Sequence, residues 1–295
     1  MNVLKWTITK KDAGCSVIEF LRHKHAFSRR LLKGIKDQGG SICINSYIHH
    51  LRYILQEGDV VDVSFPPEEV APFLVANPIP LEIIYEDDML LVVNKPPGMA
   101  TIPSRNQPTH TLANALLNYY NHKGIKSTIH VVTRLDRDTS GLVLIAKNRY
   151  GHSLFGKMQT SHQIKRKYIA IVNGCPHEQK GTIDAPIGRK EGSIIERTVT
   201  DSGQKAVTDY KVIETDPTGR YSLTEIEPLT GRTHQIRVHM AYIDHPLIGD
   251  DLYATSDVKI DRHALHCHQL DFKHPLTQED LHIKAPVPMD MKTLY

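Results

Sequence analysis

A short polar segment holds the residues with the most obvious potential for chemistry. Residues 133–141 read T-R-L-D-R-D-T-S-G, so that two carboxylates alternate with two guanidinium groups, and an apolar run at 142–146 follows directly. Nearby guanidinium groups favour the ionised form of a carboxylate, and an ionised aspartate can act as a nucleophile or a general base. A buried strand would hold such a loop rigidly. The same residues also fit an ordinary solvated turn, and the segment alone favours that simpler interpretation.

Motifs for cofactor chemistry are missing. The sequence contains no G-x-G-x-x-G, no G-x-x-x-x-G-K-[ST] and no H-E-x-x-H, which are typical of dinucleotide, nucleoside triphosphate and zinc-protease sites. His263, His266 and His268 could bind a metal, but nothing else in the sequence supports such a site, so we predict no metal and no cofactor. We interpret Asp250 and Asp251 as a capping or loop feature.

The segment at 133–141 does not stand alone. It resembles motif II of the RluA family of RNA pseudouridine synthases, written H-R-L-D-x-x-T-S-G-L. Four other segments are similar to further motifs of that family and follow the same order: 84–99, 165–174, 229–239 and 265–275. Chance assembly of this ordered set is improbable. The resemblance implies an enzyme that isomerises uridine to pseudouridine within RNA, a reaction that needs neither metal nor cofactor.

Three catalytic residues follow from the resemblance. Asp136 corresponds to the essential aspartate of the family, which serves as nucleophile or as base. Tyr168 corresponds to the tyrosine that stacks on the uracil and helps to remove the C5 proton, and Arg237 to the arginine that pairs with the catalytic aspartate. Considered singly, Tyr168 could be a core aromatic and Arg237 a surface cation. Asp138 is assigned to the turn.

Three more residues are expected to contact the target nucleotide. A stacked uridine must be flipped out of its helix, at a cost of roughly a few kcal/mol. The resemblance makes Arg134 the side chain that fills the vacated space and Leu265 an apolar wall of the base pocket, and Thr139 is a further expected contact. One position departs from the motif, because Thr133 stands where the family usually has histidine. We expect altered loop packing or substrate contact there, without loss of activity.

The elements that would position these residues form an α+β domain over residues 81–295. Strand-like and helix-like stretches do not alternate regularly, which argues against a doubly wound sheet. The resemblance implies the pseudouridine synthase fold, with a mixed, mostly antiparallel central sheet. The predicted strands include 90–93, 142–146, 168–172 and 222–226, and the predicted helices are 111–120 and 234–243.

A small N-terminal module is predicted before this domain. Residues 66–80 are rich in proline and read as a linker, which leaves residues 1–65 as two helices and a small sheet. The module resembles an S4-type RNA-binding domain through S-x-x-x-F-L, S-R-R-L-L-K, G-G-x-I-x-I-N and L-x-x-G-D-x-V, in that order. Its helices concentrate cations suited to RNA phosphates, although a solvated helical face would look the same. These cations are Arg22, Lys24, Arg29, Arg30, Lys33 and Lys36.

Composition narrows the class of protein. The chain has 295 residues, 40% of them apolar, and a net charge of +3, with no long apolar run and no signal-like start. We expect a monomeric, cytoplasmic protein whose partner is RNA and which does not bind membranes. The resemblance favours large-subunit ribosomal RNA as the substrate and leaves tRNA open. Two rival functions are a non-catalytic RNA-binding factor of ribosome assembly and a carboxylate-based glycosidase acting on nucleosides.

Overall fold

Two β-sheets and a short hairpin carry most of the regular structure. The structure is a computed structural model that describes residues 3–105, 107–254 and 260–294. Within these ranges the chain forms a four-stranded sheet near its N-terminus, a ten-stranded sheet and a separate two-stranded hairpin. No helix in the described part of the chain is long and apolar enough to cross a lipid bilayer.

The small sheet has two helical segments beside it. A capping box formed by Ser16 and Glu19 starts the first, and the hydroxyl of Ser28 accepts the amide of Leu31 at the start of the second. The sheet is antiparallel in the order β1-β4-β2-β3. Its elements are β1 (Val3–Thr7), α1 (Val17–Glu19) with a following π-helical turn (Phe20–Lys24), α2 (Arg29–Asp37), β2 (Ser41–Ile44), β3 (Tyr47–Ile48) and β4 (Val60–Ser64).

Residues 65–81 contain no helix or strand and run along the large domain. The Glu68 carboxylate meets Nε2 of His130 at 2.6 Å and accepts the amide of Arg149 at 2.9 Å. Nearby, the hydroxyl of Tyr150 donates to the carbonyl of His25 at 2.7 Å, and its ring lies 4.2 Å from that of Phe27. The N-terminal segment is therefore packed against the large domain through aromatic contacts.

The large domain contains most of the strands. Its first part comprises β5 (Glu82–Glu86), β6 (Leu90–Lys95), α3 (Leu112–Lys123), β7 (His130–Val131), β8 (Ser140–Ala146) and α4 (Arg149–Thr160). Its second part comprises β9 (Lys165–Asn173), β10 (Lys180–Asp184), β11 (Ile187–Arg189), β12 (Arg197–Val199), β13 (Val207–Thr215), β14 (Tyr221–Pro228), α5 (Gln235–Tyr242), β15 (Leu265–Lys273), β16 (Asp280–Lys284) and α6 (Met289–Lys292).

The ten-stranded sheet is mixed but mostly antiparallel. Its order is β10-β13-β14-β9-β15-β8-β6-β5, with β16 added to β15 and β7 to β8. Among the strand pairs described, β15 and β8 run parallel and the others antiparallel. The predicted α+β class and the mixed sheet are confirmed.

Strand β15 joins two halves of this sheet. On one side stand β8, β6 and β5, and on the other β9, β14, β13 and β10. The contact with β8 is very close at Gly141, whose φ is +112°, because a Cβ there would lie 2.3 Å from the backbone oxygen of Cys267. Only glycine avoids this overlap and tolerates this backbone conformation. The join between the halves thus depends on one residue that has no side chain.

Candidate active site

One cavity of about 480 Å³ opens where the two halves of the large sheet meet. It is lined by the loop before β8, by the start of β15, by β9 and by the segment that leads from β14 into α5. All six residues predicted to act in catalysis or substrate contact line this cavity. They are Arg134, Asp136, Thr139, Tyr168, Arg237 and Leu265.

Sheet register explains why residues so distant in sequence meet. Cys267 on β15 is the partner of Gly141 on β8 and also of Tyr168 on β9. Tyr168 is in turn the partner of Ile226 near the end of β14. The loop that carries Asp136 precedes β8 directly, so it ends beside the strand that carries Tyr168.

The main chain on both sides of Asp136 is fixed. The hydroxyl of Thr101 donates to the carbonyl of Leu135 at 2.7 Å and accepts the amide of Leu135 at 3.2 Å. The amide of Thr139 donates to the carbonyl of Asp136 at 3.2 Å. The half-buried Asp136 side chain therefore projects from a backbone that is held at both ends.

A buried lysine provides a further anchor that sequence reasoning missed. Lys95 is fully buried, and its Nζ donates to the carbonyls of Pro96 at 2.9 Å, Met99 at 2.8 Å and Arg137 at 3.0 Å. Burial lowers the pKa of Lys95 to about 7, against the opposing influence of Asp138 and Asp136. The three bonds tie the turn after β6 to the loop that carries Asp136.

Two histidines of the 263–268 cluster support the same loop. Nε2 of His263 lies 2.7 Å from the hydroxyl of Thr139, and Nδ1 of His266 lies 2.9 Å from the hydroxyl of Ser140. Burial lowers the pKa of His263 to about 3 and that of His266 to about 4, so both are neutral near pH 7. Within the described ranges, no group of three or more His, Cys, Asp or Glu side chains comes together to hold a metal.

Tyr168 lies buried in the wall of the cavity. Burial raises its pKa, and the neighbouring Cys267 and Asp136 raise it further. Its phenol is consequently protonated at neutral pH. This state suits a ring that stacks on a base better than it suits a free proton acceptor.

Arg237 does not form the predicted ion pair with Asp136. Its Nε donates to Oδ2 of Asp250 at 2.7 Å, and its Nη2 donates to Oδ1 of Asp250 at 2.6 Å and to Asp251 at 3.1 Å. The Arg237 side chain is 5% exposed and that of Asp250 is 0% exposed. Burial lowers the pKa of Arg237, but Asp250, and after it the charge of Asp136, leave this pKa raised overall. The alternative of a surface cation is also wrong.

Asp250, the partner of Arg237, was predicted to be a capping or loop feature. It is a capping residue, and it also binds Arg237. Asp250 accepts the amides of Leu252 at 3.0 Å and Tyr253 at 3.1 Å, as a capping residue does. The same carboxylate binds the Arg237 guanidinium in bidentate fashion, because a fully buried carboxylate needs a positive partner. Asp250 thus fixes the position of Arg237 in the cavity wall.

Thr133, the departure from the family motif, forms a hydrogen bond with the backbone of β8. It is buried, and its hydroxyl accepts the amide of Leu144 in β8 at 2.9 Å. Its neighbours Val132 and Arg134 line the cavity, whereas Thr133 does not belong to the described lining. Of the two expected consequences, altered loop packing is the one that fits this geometry.

Positive charge dominates the described lining of the cavity. Asp136 is the only carboxylate among these residues, and it is surrounded by five arginines. Such a basic surface favours binding of a polyanionic substrate, and Asp136 is the single anionic side chain in the described lining. The arginines are Arg134, Arg137, Arg166, Arg232 and Arg237.

The six predicted RNA-binding cations of the N-terminal segment have three different environments. Arg29, Arg30, Lys33 and Lys36 are exposed on α2, and none of them forms an ion pair with another described residue. Lys24 differs, because its Nζ lies 2.5 and 2.6 Å from the two carboxylate oxygens of Asp12. Its charge is therefore paired with a carboxylate within the protein, whereas the α2 cations are not. Arg22 is half-buried.

Known proteins similar to this chain are RNA pseudouridine synthases. The model described as RNA pseudouridylate synthase matches residues 89–242. Uncharacterized RNA pseudouridine synthase YjbO of Bacillus subtilis (strain 168) is 49% identical over 239 residues, covering 81% of this chain and 84% of the relative. Ribosomal large subunit pseudouridine synthase D of Xylella fastidiosa (strain Temecula1) is 36% identical over 231 residues, covering 78% and 68%.

A solved structure agrees with these relatives. Human RNA Pseudouridylate Synthase Domain Containing 1 superposes with a TM-score of 0.59 at 26% identity, covering 72% of this chain and 85% of the human one. The fold, the family model and the relatives all agree with the ordered motifs. The chain belongs to the RluA-type family of RNA pseudouridine synthases.

Proposed function

We propose that this RNA pseudouridine synthase uses Asp136 as its catalytic carboxylate. The observation that supports this most strongly is the position of Asp136, the only carboxylate in the described lining of a basic cavity, beside Tyr168 and Leu265. Its loop is fixed by Thr101 and Lys95, so the carboxylate is held ready before RNA arrives.

The isomerisation needs an ionised carboxylate and a closed site. The bond from ribose C1′ to uracil N1 breaks, the uracil turns, and C1′ bonds to C5 instead. C5 then loses its proton to solvent and N1 gains one from solvent, so nothing is added or removed overall. Asp136 acts as a nucleophile at the sugar or at the base ring, or as a base at the sugar. The cavity must retain the detached uracil and exclude water while it turns.

The remaining residues position the target nucleotide and provide a fixed positive charge near Asp136. Tyr168 stacks on the uracil, and its raised pKa favours this role over direct abstraction of the C5 proton. Arg237, clamped by Asp250, supplies a fixed positive charge near Asp136. Arg134 is exposed at the cavity and fills the space of the flipped nucleotide, and Leu265 provides an apolar wall. Thr139 acts mainly through its bond to His263.

The cavity argues against both rival functions. Carboxylate-based glycosidases need a second carboxyl group across the scissile bond, and the described lining offers Asp136 alone. A non-catalytic assembly factor would have no use for a carboxylate whose backbone is held by Thr101, Thr139 and the Lys95 anchor. The site supports turnover.

Large-subunit ribosomal RNA is the substrate that we propose. Relatives from three bacteria are named ribosomal large subunit pseudouridine synthase D. We further propose that residues 1–65 form an S4-like RNA-binding domain, joined by the 66–80 linker to a catalytic domain at 81–295, and that the exposed cations of α2 contact phosphates. A tRNA target, the cytoplasmic location and the monomeric state stay predictions.

The catalytic role of Asp136 is tested by its replacement. Asp136→Asn keeps the size of the side chain but removes its charge, so we expect release of tritium from C5 of labelled RNA to stop while RNA binding persists. Asp138→Asn, in the same turn, is the matched control and should retain turnover. Full turnover by Asp136→Asn would show that another residue acts. Mapping pseudouridines in total RNA with and without the gene then identifies the target.

A further inference from the structure

His234 occupies an unusual backbone position in the wall of the cavity. It precedes α5 with φ 56° and ψ 19°, which is the left-handed region, and it makes no side-chain cap bond to the helix. Residues other than glycine are uncommon in this region, and the conformation costs on the order of 1 kcal/mol. The surrounding contacts hold His234 there, in the lining of the cavity that contains Asp136, and its imidazole senses the charge of that carboxylate.

Tyr253 fixes the orientation of the imidazole. Its hydroxyl lies 2.9 Å from Nδ1 of His234 and accepts the amide of Arg197 at 2.8 Å. Its ring packs against the guanidinium of Arg237 at 5.1 Å. Because the Arg197 amide already donates to the phenol oxygen, the phenol proton is free to be donated to Nδ1. Nδ1 is then an acceptor, and the ring hydrogen of neutral His234 lies on Nε2.

The charge state of the ring agrees with this arrangement. Burial lowers the pKa of His234, and the charges of Arg237 and Arg197 lower it further, against the opposite influence of Asp136. At neutral pH the ring is uncharged and offers a single N–H donor. No described residue accepts a hydrogen bond from Nε2, whereas Nδ1 is engaged by Tyr253. Within the described ranges the donor therefore stays available to a molecule in the cavity that His234 lines.

We propose that Nε2–H of His234 donates a hydrogen bond to a ring carbonyl oxygen of the target uracil, an inference that rests on the proposed function. Uracil presents carbonyl oxygens at C2 and C4. When the bond to N1 breaks, negative charge spreads onto these oxygens, so a fixed donor binds the detached base more tightly than the nucleoside. If the oxygen is that of C4, the contact also discriminates against cytosine, which carries an amino group there.

The variant His234→Asn separates this role from a structural one. Asparagine tolerates the left-handed region as histidine does, and its amide can still meet the Tyr253 hydroxyl near the position of Nδ1. It has no group at the position of Nε2. His234→Gln is the rescue variant, because its longer side chain places an amide nitrogen near that position. Melting temperatures of both variants report whether the fold is kept.

The experiment uses a synthetic RNA that spans the mapped target, with uridine, 2-thiouridine or 4-thiouridine, each tritiated at C5, at that one position. Sulfur is a weak acceptor, so in the wild type we expect about a tenfold lower kcat/KM for the analogue that carries sulfur at the contacted position. With uridine, His234→Asn should lose about tenfold, and it should show no further loss with that analogue. His234→Gln should recover part of the loss.

The inference would be overturned if each analogue lowered kcat/KM by the same factor in the wild type as in His234→Asn. A second measurement applies even if a variant fails to fold: ¹⁵N NMR of the wild type should show the hydrogen on Nε2 and none on Nδ1, and the opposite tautomer would also overturn it. Failure of the proposed function looks different, because the wild type itself would then release no tritium from uridine RNA.

Discussion

Helix α2 and the cavity around Asp136 both concentrate positive charge, but they hold it in different ways. On α2, Arg29, Lys33 and Lys36 are exposed and have no ion pair in the described structure. In the cavity, Arg237 is buried and fixed by two bonds to Asp250. Exposed cations can adapt to phosphates wherever these lie, whereas a buried cation has one position and requires a partner. The first arrangement suits affinity and the second suits chemistry.

The strongest way to break the buried arrangement is to remove the partner of Arg237. Asp250→Ala leaves a buried guanidinium with only the exposed carboxylate of Asp251 as a charged partner. We therefore expect a loss of about 3–5 kcal/mol in the free energy of unfolding together with most of the turnover. Urea denaturation and tritium release measure these effects. The control is Asp251→Ala, whose carboxylate is 78% exposed and which should cost less than about 1 kcal/mol. Equal losses in the two variants would contradict the distinction.

Low pH should lower the free energy of unfolding through His263, which supports the cavity. His263 is neutral when folded, with a pKa lowered to about 3, and takes up a proton when the chain unfolds at a pH below its ordinary value. The unfolded state therefore binds more protons, and stability falls as pH falls from about 6.5 towards 4, by at most about 1.4 kcal/mol per pH unit for this group. His263→Gln should flatten this dependence in urea unfolding. An unchanged slope would mean that His263 is already protonated in the folded protein.

Neutralising α2 should affect binding and leave chemistry intact. The triple variant Arg29→Gln, Lys33→Gln, Lys36→Gln removes exposed charge without uncovering a buried group. We expect about tenfold weaker RNA binding at low salt and an unchanged kcat at saturating RNA. The slope of log affinity against log salt concentration should become shallower by about 2. Binding titrations at several salt concentrations test this. The same substitutions should leave the melting temperature unchanged, and a lower kcat would show that α2 also positions the RNA.

A local effect is expected at Thr133. Thr133→Val keeps the shape but leaves the amide of Leu144 without its acceptor, so we expect a loss of about 1–2 kcal/mol in the free energy of unfolding and less than a threefold change in kcat. Thermal unfolding and tritium release measure both. A large fall in kcat with normal stability would instead indicate that Thr133 contacts the substrate.

Local rules were sufficient for elements that depend on local contacts. The capping box of Ser16 and Glu19 and the cap at Ser28 are local signals for two helix starts, and apolar runs are local signals for the central strands. Helix α4 was missed because Gly151 and Gly156 lower its helix propensity. Its stability comes from tertiary packing of a buried face, which no short window of sequence contains.

The site was predictable as a set of residues but not as a set of contacts. The motifs identified residues that line one cavity, yet their supports come from far along the chain: Lys95 reaches Arg137 over 42 positions, and Thr139 reaches His263 over 124. Sheet register brings these partners together, and spacing carries no signal for it. For the same reason the motif suggested a role for Arg237 without revealing that α5 faces Asp250.

The central position of β15 has a consequence for the order in which the enzyme matures during synthesis. Asp136 directly precedes a strand of the half made first, and Tyr168 lies on a strand of the half made next, but in the described sheet the strand pairing joins the two halves through β15, which is made after both. Until β15 inserts against Gly141, the two sets of residues belong to separate sheets. A nascent chain therefore cannot modify RNA before this strand has been released.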